Sequence, residues 1–198
     1  MVLIAGGFNG ATSYTSGLNR ASVPTLVVLL RGVNVGGNIL KMDRLREICT
    51  RLGAKNPRTY VQSGNVVFEA VGSATEWEAM LEKKLAGESR LPVSVIVRTA
   101  AEMSKVLAGN PFLKEKGIDT ARLAVTFLQQ SPRKPALAAL SALDVGRERF
   151  HHLGKELYLH CPDGFAGAKL YTLDKILRQA TTTRNWNTVT RLAEMARD

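Results

Sequence analysis

The sequence predicts an α+β protein built from two ferredoxin-like halves, each βαββαβ, whose antiparallel sheets pack together. Three observations lead there. The run Leu26 to Leu30 is apolar at every position, the mark of a central strand covered on both faces. The element order β-α-β-β-α-β read in residues 25–98 recurs in residues 99–198, although the residues themselves do not visibly repeat. The chain has 198 residues, 45% of them hydrophobic and 22% charged, enough to bury the core of one large domain or two small ones.

Residues 1–22 are rich in Gly, Ser, Thr and Asn, and their short apolar start is cut by Gly6-Gly7. They read as a disordered leader or an over-early start, because a signal peptide needs an early positive charge and a continuous apolar core. Leu26 to Leu30 is the first strand. Met42, Leu45, Ile48, Cys49 and Leu52 form one stripe of a helix that Gly53 ends. Thr59 to Val61 and Val66 to Phe68 are two short strands joined through Gln62-Ser63-Gly64-Asn65. Ser73 and Glu76 make a capping box ahead of Trp77, Met80, Leu81 and Leu85. Val93 to Arg98 closes the first half.

In the second half, Thr99 and Glu102 cap a connecting helix that stops by Gly109, and Asn110-Pro111 breaks it. Arg122 to Leu128 is a strand. Ser131-Pro132 offers an N-cap and a first-turn proline for a helix carrying Leu137, Leu140 and Leu143. Arg147 to His152 and Lys155 to His160 form a hairpin about Leu153-Gly154. Leu170, Leu173, Ile176 and Leu177 mark one helix, Thr181 to Arg184 the closing strand, and Trp186, Val189, Leu192 and Ala193 a last helix.

The formal charge is +10, divided evenly between residues 1–99 and 100–198 with no basic tail. Such a field favours anionic partners: phosphorylated metabolites, nucleotides or nucleic acid. No stretch approaches the roughly 20 apolar residues of a membrane span. Cys49 and Cys161 are far apart and belong to no CxxC pair, which argues against a disulfide framework and fits a reducing cytoplasm. His151, His152, His160 and Cys161 invite a metal reading, but a hairpin turning at Leu153-Gly154 sets His160 opposite Arg149, so no metal site is expected.

The candidate site lies in the polar loops. Arg31-Gly32-Val33-Asn34-Val35-Gly36-Gly37-Asn38 links the first strand to its helix, with Lys41 at the helix entrance. In a ferredoxin-like unit this loop and the hairpin between strands two and three share one end of the sheet. Arg31, Asn34, Gly36, Gly37 and Lys41 therefore fall near Gln62, Ser63 and Asn65. Glycine amides and a helix N-terminus suit an anion, Arg31 can grip one bidentately, and Lys41 adds a point charge. Arg184 joins them if the halves face each other, and Asn185 reads as the N-cap of the last helix. The same residues also suit a purely architectural role, with glycines making a tight turn, Asn34 and Ser63 satisfying backbone groups and Arg31 paired to a carboxylate. The loop is neither a Walker A motif nor GxGxxG. No GxSxG elbow or Ser-His-Asp set is visible, so the residues leave enzymatic activity and any cofactor open.

The segments Arg31 to Gly37 with Lys41-Met42, Thr59 to Phe68, Asn110-Pro111-Phe112, and Thr183-Arg184-Asn185-Trp186 with Thr188-Val189 together resemble the bacterial domain-of-unknown-function family numbered 1697, over about residues 25–196. The family pattern carries isoleucine where this chain has Val33 and Val61. The resemblance implies a duplicated ferredoxin-like arrangement and no assigned activity. The expected partner is an anionic small molecule or nucleotide. A non-catalytic interaction or structural protein, or a weak nucleic-acid binder, are the alternatives. Sequence-specific nucleic-acid binding is not expected, because the first strand lacks aromatics and the third offers only Phe68. Oligomeric state is not readable.

Overall fold

A computed structural model describes residues 23–198 apart from 35, 38, 89–91 and 172. The expected leader, residues 1–22, lies outside the described residues. The first four strands are β1 (Thr25–Arg31), β2 (Lys55–Tyr60), β3 (Asn65–Glu69) and β4 (Ser94–Thr99), with helices α1 (Met42–Arg51), α2 (Ala74–Leu85) and α3 (Ala100–Ala108). The second set is β5 (Leu123–Leu128), β6 (Arg149–Leu153), β7 (Glu156–His160) and β8 (Thr181–Asn185), with α4 (Lys134–Ser141), α5 (Asp174–Leu177) and α6 (Trp186–Met195). Each set makes a four-stranded antiparallel sheet, of order β2-β3-β1-β4 and β6-β7-β5-β8. The second order is the first with every strand advanced by four, so the topology is duplicated.

The alternation of side chains across a strand explains the first apolar run. Leu26, Val28 and Leu30 face α1 and α2, where Leu45, Ile48, Trp77 and Leu81 complete one core. Val27 and Leu29 face the other way, into a core shared with Val125 and Phe127 of β5, Met103 of α3 and Val189 and Leu192 of α6. A third core lies between β5, β7, α4 and α5. The two sheets thus face one another across a common interior, with α3 and α6 packed into it, and α1/α2 and α4/α5 cover their outer faces.

Local signals act as expected at several ends. Ser73 with Glu76, and Thr99 with Glu102, are full capping boxes, and Asn185 caps α6. The edge strand β4 is protected, since Val95 and Val97 donate their outward amides to Glu82 and Glu78 of α2 at 3.0 and 2.9 Å.

Three expectations need correction. The strand before the hairpin runs Lys55–Tyr60, across Pro57, with an irregular register that an edge strand tolerates. Val61 falls in the turn at φ 50°. Helix α4 starts at Lys134, with Arg133 rather than Ser131 at the N-cap and Pro135 in the first turn. The expected helix from Leu170 to Leu177 is broken into a 3-10 turn, Lys169–Tyr171, and the short α5. The Glu148 carboxylate accepts the Lys169 and Leu170 amides at 2.9 and 2.8 Å, capping that turn separately.

Candidate functional site

The β1–α1 loop and the β2–β3 hairpin meet at one end of the first sheet. Asn34, in left-handed backbone at φ 55°, donates Nδ2 to the Leu40 carbonyl at 3.1 Å and to the Gln62 carbonyl, and accepts the Leu40 amide at 2.9 Å. One side chain therefore closes the loop and ties it to the hairpin. Gly64 allows that approach, because a Cβ there would stand 2.6 Å from Val33 and 2.8 Å from Leu30.

Arg184 crosses from β8 into this corner and is 8% exposed. Its Nε donates to Asn65 Oδ1 at 2.6 Å, Nη1 to Thr182 Oγ1 at 2.7 Å and the Thr183 carbonyl at 3.0 Å, and Nη2 to the Leu30 and Ser63 carbonyls at 2.7 and 3.0 Å. All three guanidinium nitrogens therefore donate. Asn65, fully buried, in turn donates to the Tyr60 carbonyl and Ser63 Oγ at 3.0 and 2.9 Å. Arg184 reaches the first-half loops, but it is spent on joining the two halves.

Arg31 is also engaged. It forms an ion pair with Asp174 of α5 and donates to the Thr181 carbonyl at 3.1 Å. Burial pushes the Asp174 carboxyl up, but hydrogen bonds from Arg31 and Thr181 outweigh it and hold the group below its usual range. Asp174 escaped sequence reading because nothing local marks a partner far along the chain and in the other half. Asn185 accepts the Thr188 amide at 2.9 Å as a cap.

The remaining expected residues face solvent. Gly36 and Gly37, at φ 56° and 81°, have nothing within 4 Å of where a Cβ would stand. Lys41 sits at the α1 N-cap position without a side-chain capping bond. Gln62 and Ser63 are exposed on the hairpin. Ser63 Oγ accepts from Asn65, and among the described residues no carboxylate or imidazole bonds to it. Among the described residues the corner shows no nucleophile–base pair.

Among the described residues no group of three His, Cys, Asp or Glu could hold a metal. His160 lies opposite Arg149, as the hairpin register requires, and Cys161 is buried. Phe68 is 1% exposed and packs on Trp77 with ring centroids 4.7 Å apart, so it offers no stacking surface for a base. Asn110 caps the turn Pro111–Lys114, while its buried Nδ2 has no hydrogen-bond partner among the described residues. A cavity of about 680 Å³ opens in the second half, between the β5–α4 connection and the end of α5. No motif pointed to it, because its cations are scattered through two unremarkable segments. Among the described residues no helix is long and apolar enough to cross a membrane.

Duplicated ferredoxin-like sheets clamped by an arginine between the halves define an α+β protein of two like units. Residues 23–158 match the family described as "Protein of unknown function (DUF1697)", and the chain belongs to that family. The Thr183 to Trp186 segment lies outside the matched range. No curated protein matches the chain. The structure of the conserved bacterial protein SP0830 from Streptococcus pneumoniae is similar, with a TM-score of 0.71 at 22% identity, covering 87% of this chain and 98% of that one. At that identity the likeness speaks for the fold.

Proposed function

We propose that this protein binds an anionic small molecule, phosphate- or carboxylate-bearing, on the face formed by the β1–α1 loop and the β2–β3 hairpin. The observation that supports this reading is a division of labour among the polar residues. Asn34, Asn65, Arg31 and Arg184 are engaged in holding the loops, whereas Lys41 and Gln62 stand exposed with no side-chain bond among the described residues. Gly36 and Gly37, in the same loop as Lys41, are exposed, with open space where a side chain would stand. Arg31, Asn34, Asn65, Arg184 and Asn185 then act as framework, and Gly36, Gly37, Lys41, Gln62 and Ser63 meet the ligand.

The test is thermal unfolding with inorganic phosphate and with citrate at constant ionic strength. A ligand of the native state raises the midpoint, by the equivalent of about 2.7 kcal/mol at a hundredfold excess over Kd. The rise should vanish in Lys41→Ala. An unchanged wild-type midpoint with both anions would remove the reading.

A second reading has its own observation. Ile39 and Val61, 77% and 51% exposed, are the chain neighbours of Leu40 and Gln62, both of which Asn34 bonds, and Val61 holds φ 50°, costly for a β-branched residue. Two exposed apolar side chains on the joined loop and hairpin also suit a macromolecular partner, and a non-catalytic interaction role would follow. Ile39→Ser with Val61→Ser would then abolish association while leaving any anion effect intact.

A further inference from the structure

We propose that the second half carries an anion site of its own, the cavity between the β5–α4 connection and α5, and that it takes a small phosphate compound bearing two or more negative charges. This goes beyond the loop reading and shares no residue with it, so either can fail alone.

Arg133, Lys175 and Arg178 line the cavity together with the amide side chains of Gln130 and Gln179, and no carboxylate lines it. None of the three cations has an ion pair among the described residues. Among the described arginines pairing is the rule, as at Arg44, Arg46, Arg98, Arg147 and Arg149, and Arg133 and Arg178 depart from it. Three like charges around one concavity repel each other, and an anion placed between them relieves that repulsion.

Two bonds hold the walls without any ligand. The Gln130 amide donates to Gln179 Oε1 at 2.9 Å, tying one wall to the other. Arg178 is held in left-handed backbone, φ 51° and ψ 37°, its amide bonded to the Asp174 carbonyl at 2.7 Å. Pro135, Ala139 and Ile176 add an apolar side, able to cover the organic part of a phosphate ester. The volume, about 680 Å³, is that of a small-molecule site, and a bounded hollow suits one compact ligand better than a nucleic-acid strand, which needs a continuous cationic track. The β5–α4 connection also holds the place in the second sheet that the β1–α1 loop holds in the first. Duplication of the topology has left each half with a strand-to-helix connection at the same end of its sheet.

The probes are inorganic pyrophosphate and adenosine 5′-diphosphate, titrated calorimetrically into the full chain at about 150 mM salt, where the Debye length is ~8 Å and long-range attraction is screened. Adenosine is the neutral control. Both phosphates should bind, adenosine should not, and Arg133→Ala or Arg178→Ala should each weaken binding about tenfold. The double variant Arg133→Glu with Lys175→Glu should abolish it while leaving the unfolding midpoint unchanged, since these side chains are exposed and support no part of the core. Lys41→Ala should leave it intact. The proposal is overturned if neither phosphate binds at about 1 mM. It is equally overturned if the charge-reversed variant binds as well as wild type, or if adenosine competes on equal terms. Binding confined to single-stranded oligonucleotides would overturn it in favour of a nucleic-acid surface.

Discussion

Arg98 of β4 and Glu156 of β7 form an ion pair at 2.8 Å between the two halves, with the side chains 2% and 14% exposed. Arg98 also donates to the Leu128 and Val97 carbonyls at 2.6 and 3.0 Å. Removing one member strands a charge and a buried carbonyl, so Arg98→Ala should cost about 3–5 kcal/mol in urea unfolding. Replacing both at once, Arg98→Met with Glu156→Leu, should recover most of that loss, because the desolvation cost of the pair disappears with it. If the double variant is as unstable as the single one, the hydrogen bonds to the carbonyls outweigh the ion pair.

Arg184 tests geometry against charge. Its five bonds span both halves, and a lysine cannot make more than three. Arg184→Ala should destabilise by about 3–5 kcal/mol, since Asn65 Oδ1 and the Leu30 and Ser63 carbonyls lose a buried donor. Arg184→Lys keeps the charge and should still forfeit more than half of that. Near-wild-type stability of the lysine variant would mean that the planar fork is dispensable.

The fold was legible where a signal is local. Leu26 to Leu30, apolar throughout, announced a strand with two covered faces, and the Ser73 and Thr99 boxes marked helix starts that the structure keeps. Signals failed where a distant group decides. Glu148 splits the Leu170–Leu177 stretch by taking two of its amides, and two prolines competed to open α4, with Pro135 the one inside the helix. At the corner, adjacency of the loop and hairpin followed from topology alone. The engagement of Arg31 and Arg184 did not, because Asp174 and Asn65 are 143 and 119 residues away from them in the chain.

Both thiols should be silent in the native protein. Burial pushes Cys49 up to about 12, and burial with the Glu148 charge pushes Cys161 up to about 11, so neither is a thiolate near neutrality. An aromatic disulfide reagent at about pH 8, below both values, should label neither cysteine in buffer and both in urea. Rapid labelling of one thiol in buffer would show that its side of the core opens locally.

The pair Arg31 and Asp174 gives stability a pH signature. Asp174 has its folded pKa held below the unfolded value, near 4 for an ordinary aspartate. Its ionised form is therefore the one the fold favours. That contribution is complete above the unfolded pKa and drains away as pH falls through the folded one, with no change in slope near neutrality. Arg31 is 40% exposed, so solvent screens the pair, and Arg31→Ala should cost only about 1 kcal/mol at neutral pH. The measurement is urea unfolding of wild type, Arg31→Ala and Asp174→Asn between about pH 3 and 7, a range that brackets the aspartate titration. The wild type should exceed each variant by a constant margin above about pH 5, and the margin should close below about pH 4. A margin that persists at the acid end would mean that Arg31 also holds β8, through the Thr181 carbonyl. If Arg31→Ala is as stable as wild type throughout, the pair gives the interface nothing and Arg31 is free to serve a ligand.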